Sequence, residues 1–279
     1  MSNTPDSPRE YWVAPRYLAH ADADGSRAVQ PLLNVGWASS QDGEGNTFVT
    51  APNLSARLAH LPESDGRVLW KVSAGRDAFA PPEWLVTFDS LTPPEIVADF
   101  TTALAAFYTR GPDGYLGNNQ DSGVETVLEL LATGWKLNPA TPFLSYQSPD
   151  RFARLHFRDK HLQHSAEMAG DTERWLFEVG TERACWYATA SSYLPDHLLQ
   201  SLTSAITDPA PVRRYMRRID LDHLPSAATA TPTPPSPAEV ARIHAATART
   251  APSRPPVLAA GRAVPPAAVA RASAPANRR

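Results

Sequence analysis

Arginine is the residue type whose spacing in this chain best suits a chemical task, and the task is the binding of phosphate groups. Four arginines lie close together, at Arg213, Arg214, Arg217 and Arg218. In a helix from Val212 to Ile219 they would share one face, and four guanidinium groups on one face suit phosphates. Asp220 and Asp222 follow directly, so a solvated face with internal ion pairs is the alternative interpretation.

Two further arginines, Arg57 and Arg154, occupy the same place in two similar strand-like segments. Because the neighbouring residues alternate, we expect both side chains to project from equivalent sheet faces, beside aromatic residues such as Phe48, Tyr146 and Tyr187. β-Sheets hold single-stranded nucleic acid in this way, with each stacked base contributing about 1–3 kcal/mol. The alternative interpretation is that each arginine pairs with a neighbouring acid.

Histidines and acids cluster in one segment, at His156, Asp159, His161, His164 and Glu167. Imidazoles this close together are the ligands that zinc prefers. However, the matching part of the first half holds only His60, and residues 159–171 are predicted to form a polar hairpin loop with solvated histidines. We therefore predict no metal site.

Motifs for covalent or cofactor chemistry are missing from the sequence. Cys185 stands beside Trp186 in an apolar strand and is expected to be a small core residue. There is no Gly-x-Ser-x-Gly elbow and no glycine-rich phosphate loop followed by Gly-Lys-Ser/Thr. We predict no catalytic residue, no cofactor and no enzymatic activity.

The elements that would position the arginines occur twice in the chain. Each half carries three tryptophans at matched places, Trp37, Trp70 and Trp84 and then Trp135, Trp175 and Trp186. Gly36-Trp37 recurs 98 residues later, Arg57-Leu58 recurs 97 residues later, and Trp84 recurs 102 residues later. A repeat of this length is a duplicated small domain, and the changes in offset indicate loops of different length between fixed elements.

Each copy has the pattern of short antiparallel strands followed by a helix. In the first copy the predicted strands are residues 37–40, 47–51, 55–61, 68–74 and 84–88, separated by turn-forming residues. Thr92-Pro93-Pro94-Glu95 is a capping box that begins the helix. The sequence predicts an α+β fold with two tandem homologous domains, each an antiparallel β-sheet of four to five strands followed by an α-helix. We expect these domains to pack as a pseudo-two-fold pair with disordered termini.

Composition sets the predicted boundaries. They are an N-terminal segment (1–27), the first repeat (28–110), a flexible linker (111–123), the second repeat with a basic C-terminal extension (124–224) and a disordered tail rich in proline, alanine and arginine (225–279). Within the tail, Ser236-Pro237-Ala238-Glu239 is a capping box that predicts a short, transient helix, the alternative being a helix that forms on a partner.

Charge is distributed unevenly along the chain. The tail carries seven arginines and one glutamate, a charge of +6, which leaves −9 for residues 1–224 out of a total of −3. An acidic body would bind a polyanion only through the tail or a local basic patch. No apolar run reaches the length of roughly 20 residues that a membrane helix needs, and no apolar signal core opens the chain. We expect a cytoplasmic protein with no membrane contact.

Three blocks carry a family resemblance: Gly-Trp after a Leu-Leu turn, a Ser-Pro-Asp-like turn followed by Ala-Arg-Leu, and the run from Thr92 to Leu104. Together they resemble the SPDY-domain family, domain of unknown function 317, which is typical of actinobacterial proteins and often present in two copies. The resemblance covers residues 28–108 well and 126–208 less closely, because Leu194-Pro195-Asp196-His197 departs from the helix-start pattern. The family supplies no established catalytic residues.

The sequence therefore predicts a non-enzymatic binding or interaction protein. The family name, which refers to plasmid spread, implies mobile-element or conjugation machinery as a setting. The alternative is a single-stranded nucleic-acid-binding protein of PUR-like or Whirly-like architecture, because those proteins also use tandem units of strands followed by a helix. Whether the partner is a protein or a nucleic acid is left open at this point, and a homo-oligomer is compatible with the sequence.

Overall fold

The computed structural model describes residues 8–19, 21, 25–63, 68–117, 123–138, 143–182 and 184–234, together with residues 237, 240–242 and 245. The chain divides into two compact units, Met1–Thr233 and Pro234–Arg279. The first unit contains both sequence repeats. In the second unit five of the six described residues, 237, 240–242 and 245, are helical, at the place where a short helix is predicted. No helix in the described part of the chain is long and apolar enough to cross a membrane.

The described elements are short. The helices are α1 (Ser26–Asn34), α2 (Pro94–Tyr108), α3 (Pro112–Tyr115), α4 (Val124–Ala132), α5 (His164–Ala169), α6 (Asp196–Thr207) and α7 (Arg218–Asp222), with a 3-10 turn at Arg16–Leu18. The strands are β1 (Arg9–Ala14), β2 (Ala38–Gln41), β3 (Thr47–Thr50), β4 (Ala56–His60), β5 (Val68–Ala74), β6 (Trp84–Asp89), β7 (Lys136–Asn138), β8 (Leu144–Gln147), β9 (Ala153–Phe157), β10 (Trp175–Thr181), β11 (Ala184–Ala190), β12 (Val212–Met216) and β13 (Thr229–Pro232). The described strand pairs are antiparallel, which confirms the α+β class.

Ten strands form one sheet in the order β2-β3-β4-β5-β6-β11-β10-β9-β8-β7. The five strands of each repeat are consecutive neighbours, and the two sets meet edge to edge where β6 pairs with β11. At the centre of this junction Thr87 lies opposite Thr189, and their hydroxyl groups are 2.7 Å apart in a hydrogen bond. The last strand of each repeat, which would be an unpaired edge in an isolated domain, is therefore covered by the other repeat.

Side chains close both ends of the β6–β11 junction. Asp89 Oδ2 accepts a hydrogen bond from the backbone N–H of Tyr187 at 2.9 Å. Ser191 Oγ accepts one from the backbone N–H of Leu85, also at 2.9 Å. Asp89 and Ser191 occupy equivalent positions in the two repeats, so each copy caps a backbone donor of the other copy, one with a carboxylate and one with a hydroxyl.

The core lies on one face of the sheet, beneath the helices. All six repeated tryptophans are buried, which confirms that they are core residues. The ring of Phe100 in α2 packs edge-on against Trp84 and Phe88 of β6, with centroid distances of 6.3 and 5.9 Å. The longer helices of the two repeats, α2 and α6, also touch, and the rings of Phe107 and His197 have centroids 3.7 Å apart. The apolar helix faces and the two sets of strands thus share one core.

A second sheet contradicts the prediction of disordered termini. β1 pairs with β12 on one side and with β13 on the other, so residues 9–14 and 229–232 are ordered strands. The 3-10 turn that follows β1 contacts the second repeat, because the Trp186 indole N–H donates to the Tyr17 carbonyl at 2.9 Å. Backbone pairing between distant strands and a small apolar cluster of Val13, Ala19, Val212 and Met216 order these segments. The rest of the predicted disorder falls on residues 1–7 and 246–279, outside the described residues.

The predicted flexible linker is also partly wrong. Residues Pro112–Tyr115 form α3, and the Tyr115 side chain is buried. The Trp84 indole N–H donates to the Tyr115 carbonyl at 2.8 Å, and the Tyr115 hydroxyl is 2.7 Å from Ser55 Oγ. A tryptophan from the first repeat therefore fixes the start of the connection. Residues 118–122 of the predicted linker lie outside the described residues.

Candidate functional site

The face of the ten-stranded sheet opposite the core is partly open to solvent, with Thr87, Asp89 and Ser145 buried on it. In β4 and β9 the burial alternates, so that Arg57 and Arg154 are exposed between buried neighbours. Because cross-strand partners share a face, the pairing register identifies every strand residue on the side of these two arginines. We call this surface the outer face. The two arginines therefore lie on equivalent faces, as the sequence predicts, and the pairing of β6 with β11 joins these faces into one surface, which the sequence did not predict.

The outer face carries a local excess of positive charge. Its cationic residues are Arg57, Lys71, Lys136 and Arg154, all of them exposed. Among the described strand residues of this face the carboxylates are Glu178, which is partly exposed, and Asp89, which is buried. Burial raises the pKa of Asp89, while hydrogen bonds from Thr92 and backbone N–H groups oppose this effect. A basic surface therefore lies on a body whose net charge is −9 over residues 1–224.

Arg57 is held by a neighbouring loop and not by an acid. Its Nη2 donates to the Ala78 carbonyl at 3.1 Å, in the connection between β5 and β6. Asp77 Oδ1 in the same loop accepts from the backbone N–H groups of Phe79 and Ala80, both at 2.8 Å. The loop is closed at its base by Arg76 and Glu83, whose Nε and Oε1 are 2.5 Å apart. The guanidinium of Arg57 is therefore fixed at the edge of the outer face.

Arg154 faces an acid across the sheet, in line with the alternative interpretation. Its Nη1 is 3.7 Å from Glu178 Oε1, and both side chains are partly exposed. His156 Nε2 is 3.4 Å from the other oxygen of Glu178. Exposed pairs at this distance contribute little to stability. Glu178 thus neutralises part of the charge in the second repeat, while its equivalent across from Arg57 is Ser73.

The aromatic residues divide between the two faces of the sheet. Phe48 lies on the outer face and is 37 % exposed, and Tyr187 lies on the same face and is half-buried. Tyr146, by contrast, points into the core and is 6 % exposed, so its predicted place beside Arg154 is wrong. The register explains the difference, because Tyr146 lies opposite the core residue Leu155 and the sequence alone does not fix that register.

The arginine cluster near residue 215 does not form a helical face. Residues 212–216 are a strand, and the alternation of burial sends Arg213 and Arg214 to opposite sides. Arg214 is 4 % exposed and donates to both carboxylate oxygens of Glu95, at 2.8 and 2.6 Å. Arg213 stacks over the ring of Trp12 at 4.7 Å from its centroid. The predicted phosphate-binding face is therefore wrong, because burial against a distant acid outweighs local helical spacing.

The last two arginines of this cluster are exposed at the start of α7. Arg217 Nε is 3.6 Å from Asp220 Oδ2, which is the internal pairing given as the alternative. Arg218 is also exposed. The structure thus brings Arg57 and Arg154 onto one surface but scatters Arg213, Arg214, Arg217 and Arg218 among three environments.

The histidine-rich segment folds into a helix and not a polar loop. α5 occupies residues 164–169, and Glu167 within it is buried with Oε1 accepting from the Ser192 backbone and hydroxyl at 2.7 and 2.9 Å. His164 Nε2 lies 2.9 Å from the Pro82 carbonyl. In the described part of the chain no three His, Cys, Asp or Glu side chains are placed to hold a metal ion.

Cys185 is half-buried on the outer face near the junction. Burial raises the pKa of its thiol, although a hydrogen bond involving Tyr187 opposes this. A thiol with a raised pKa is a poor nucleophile. The residue is thus less enclosed than a core position but no more reactive than a free cysteine.

Sequence reasoning missed two lysines and one phenylalanine. Lys136 joins Arg57 and Arg154 only when the strand register is known, because a single lysine in a three-residue strand carries no signal of its own. Phe79 is 98 % exposed at the tip of the ordered loop beside Arg57. Lys71 could have been identified from the alternation in β5, where it separates the apolar residues Trp70 and Val72.

Comparison with known proteins identifies one family. The family model for SPDY, domain of unknown function (DUF317), matches residues 50–108 and 147–212. The matched regions contain β4 to α2 in the first copy and β9 to α6 in the second. No curated protein and no solved structure matches the chain.

Proposed function

We propose that this chain, which carries two SPDY domains, is a non-enzymatic binding protein that holds single-stranded nucleic acid on the outer face. The observation that carries the proposal is that Arg57, Lys71, Lys136 and Arg154 are all exposed on the same face of the sheet in an otherwise acidic body. Such a patch attracts phosphate groups, and the acidic surroundings confine the polyanion to it. Phe48 and Tyr187 on the same face offer aromatic surfaces to unpaired bases.

A pseudo-two-fold relation between the repeats is part of the proposal. The register of the junction supports it, because Val86 lies opposite Ala190 while Phe88 lies opposite Ala188. Val86 corresponds to Ala188 and Phe88 to Ala190 in the aligned repeats, so a rotation about the centre of the junction exchanges the two pairs. The equivalent arginines of the two copies then lie on opposite sides of one continuous surface, which suits a strand that crosses both repeats.

The absence of catalysis is supported by the roles of the titratable side chains near the outer face. Asp89 caps a backbone donor across the junction, and Glu167 caps the turn at Ser192. The thiol of Cys185 has a raised pKa. These groups have structural partners, whereas a general acid or base must be free to exchange a proton with a substrate.

Expected energetics follow from the number of charges. If a strand contacts all four cations, the logarithm of its affinity should fall with the logarithm of salt concentration with a slope of about −3. Each base stacked on Phe48 or Tyr187 should contribute about 1–3 kcal/mol. A duplex cannot use these aromatic surfaces because its bases are already stacked, so single strands should bind more tightly.

The test is a titration of fluorescently labelled single-stranded oligonucleotides, followed by anisotropy at several salt concentrations. We expect the double variant Lys71→Glu/Arg154→Glu to bind at least tenfold more weakly than the wild type and to show a smaller salt slope. Arg213→Glu reverses an exposed cation in the second sheet and serves as the control, with unchanged binding expected. If the wild-type protein shows no salt-sensitive binding at low ionic strength, the proposal is rejected.

A protein partner is the second candidate, and one observation favours it. Phe79 is 98 % exposed although hydrogen bonds to Asp77 and Arg57 fix the backbone of its loop. A rigidly presented aromatic side chain is typical of the central contact in a protein interface. Affinity capture with wild-type protein and with Phe79→Ala tests this, with Leu91→Ala as a matched exposed control. Equal recovery of the same partners by all three proteins would contradict this candidate.

A further inference from the structure

The second repeat contains a cleft that has no role in the proposed function. Its volume is about 430 Å³, within the range of about 300–1,000 Å³ that is usual for small-molecule sites. It lies between the start of α4 and the strands β8, β9 and β10. The lining residues are Gly123, Val124, Val127, Leu128, Leu144, Tyr146, Phe157, Asp159, Arg174 and Trp175.

The walls of the cleft are apolar and partly unprotected from water. α4 buries Thr126 and Leu130 against the core, yet its other side exposes Val124 by 66 % and Leu128 by 59 %. A helix that is apolar on both sides usually has a partner on both sides. Beneath the helix, Phe157 and Trp175 pack with ring centroids 4.4 Å apart. Aromatic rings therefore form the floor, and aliphatic side chains form the wall.

The first repeat shows that the fold does not require these apolar residues. There the equivalent ring pair is His60 and Trp70, with centroids 4.1 Å apart, and Gly25 lies over the indole as Gly123 does over Trp175. The positions equivalent to Val124 and Leu128, however, are Ser26 and Gln30. The same framework is thus stable with a polar helix face, so the apolar face of the second copy points to a ligand.

Arg174 supplies a charge at the cleft. Its guanidinium stacks over the Phe157 ring at 4.5 Å from the centroid, and Nη1 donates to the Lys160 carbonyl at 2.6 Å. These two contacts hold a partly buried cation in a fixed orientation. Asp159, the acidic residue of the lining, is exposed, so water screens its charge more strongly than that of Arg174. The equivalent of Arg174 in the first copy is Leu69, which has no charge.

We propose that this cleft binds a small organic carboxylate with an aromatic or branched aliphatic body. The body lies against Phe157, Val124 and Leu128, and the carboxylate meets the guanidinium of Arg174. An arginine binds a carboxylate with charge-assisted hydrogen bonds, which discriminate against a neutral group of the same shape. The proposal concerns the end of the second repeat and is independent of nucleic-acid binding on the outer face.

The probes are 4-phenylbutyrate and its neutral analogue 4-phenylbutanamide, measured by ligand-observed NMR and calorimetry. We expect the wild-type protein to bind the acid at least fivefold more tightly than the amide. The double variant Val124→Ser/Leu128→Gln, which installs the residues of the first copy, should weaken both probes at least tenfold. Arg174→Gln should remove the preference for the acid.

Leu91→Gln is the matched control, because it replaces an exposed leucine in the first repeat far along the sequence from the cleft. Its affinity for both probes should equal that of the wild type. The substituted side chains of the double variant are exposed, and circular dichroism and the melting temperature verify that each variant is folded. Failure of the wild type to bind either probe at millimolar concentration, equal affinity for acid and amide, or unchanged binding by the double variant would each overturn the proposal.

Discussion

The two repeats share their strands and helices but differ in which loop is long. In the first copy β5 and β6 are joined by residues 75–83, while in the second copy the equivalent strands β10 and β11 are joined by residues 182–183. The second copy instead has residues 158–174, including α5, between β9 and β10. These two loops meet, because His164 Nε2 lies 2.9 Å from the Pro82 carbonyl. The two copies thus share the sheet, and the longer loop of each copy, residues 75–83 and 158–174, contacts the other at one end of the junction.

Equivalent residues have consequently acquired different partners. Trp84 and Trp186 correspond, yet the Trp84 indole bonds to the carbonyl of Tyr115 and the Trp186 indole to that of Tyr17. The buried position is inherited, and the segment that each indole fixes is not. The comparison therefore separates what the fold requires of both copies from what each copy does alone, and substitutions at paired positions can test this separation.

The largest effect is expected at these two tryptophans. Trp84→Ala and Trp186→Ala should each lower the free energy of unfolding by about 3–5 kcal/mol, because each removes a large buried side chain. Urea unfolding measures this loss. Amide hydrogen exchange should distinguish the two variants. Residues 112–116 should exchange faster in Trp84→Ala, and residues 9–19 should exchange faster in Trp186→Ala.

Milder variants test the same prediction if the alanine variants do not fold. Trp84→Phe and Trp186→Phe keep a buried ring but leave one carbonyl oxygen without its donor, at a cost of about 1–3 kcal/mol. The two local exchange patterns should persist in these variants. If both tryptophan variants loosen the same segment, the assignment of a separate partner to each repeat is wrong.

The next effect is expected where the second helix of each repeat begins. Glu95 in α2 pairs with buried Arg214, whereas its equivalent His197 in α6 bonds to the Gly114 carbonyl at 2.7 Å. Arg214→Met leaves the mostly buried Glu95 carboxylate with only the exposed Arg27, whose Nη1 is 3.2 Å from Oε1, as an ion-pair partner, and should cost about 3 kcal/mol, the lower end of the range for a broken buried pair. His197→Leu should cost about 0.5–1.5 kcal/mol, the usual value of one hydrogen bond.

These two positions also respond to pH at different values. Burial opposes ionisation of Glu95, but the Arg214 guanidinium brings its pKa below the ordinary 4.5, so its stabilisation is present above pH 4.5 and is lost as pH falls through the lowered value. Burial lowers the pKa of His197 from 6.5, so its contribution is lost as pH falls below 6.5. Wild-type stability measured between pH 7 and 5 should therefore fall relative to that of His197→Leu.

A smaller effect is expected at the ends of the β6–β11 junction. Asp89→Asn and Ser191→Ala each remove an acceptor of a backbone N–H group and should cost about 1–3 kcal/mol. Burial raises the pKa of Asp89 above its ordinary value of 3.8, so the stability linked to its protonation is present below pH 3.8 and is lost as pH rises through the raised value. The deficit of Asp89→Asn should thus grow as pH falls from 7 towards 4, measured by urea unfolding. A constant deficit, like that expected for Ser191→Ala, would contradict the assignment.

Local patterns predicted those parts of the fold that depend on neighbours in sequence. The start of α2 at Pro94 agrees with a proline at the first helical position, but the predicted capping box does not form, because Thr92 bonds to Asp89 and Glu95 to Arg214. The alternation around Arg57 and Arg154 predicted equivalent faces for the two side chains. The edge pairing of β6 with β11 could not be predicted, because Trp84, Val86 and Phe88 suit any strand with one buried face. The register within each repeat places Lys71 on the face of Arg57 and Lys136 on the face of Arg154, and the β6–β11 pairing joins the two halves, so the sequence does not predict the full basic surface.

The errors near the ends of the unit have a common physical cause. The spacing of the arginines from 213 to 218 fits a helix, but Arg214 is buried by an acid 119 residues away in sequence. Likewise, residues 229–232 carry no strand signal, yet they pair with β1, and Ala230 packs against the apolar cluster of the second sheet. Contacts between distant segments outweighed local propensity in both cases, and no single-sequence pattern reports such contacts.

The smallest effect is expected for a variant that gives α1 the exposed residues of its equivalent α4. Ser26→Val/Gln30→Leu gives the first copy the apolar helix face of the second and should change the free energy of unfolding by less than about 0.5 kcal/mol, because both positions lie on the surface. It should not create affinity for 4-phenylbutyrate, since the positions of Phe157 and Arg174 are occupied there by His60 and Leu69. The measurement is calorimetry of a combined variant that also carries Val124→Ser/Leu128→Gln. These two changes disable the cleft of the second copy, so any remaining binding belongs to the first copy. New binding with a preference for the acid would mean that the helix face alone makes the site, and that the arginine specific to the second repeat is unnecessary.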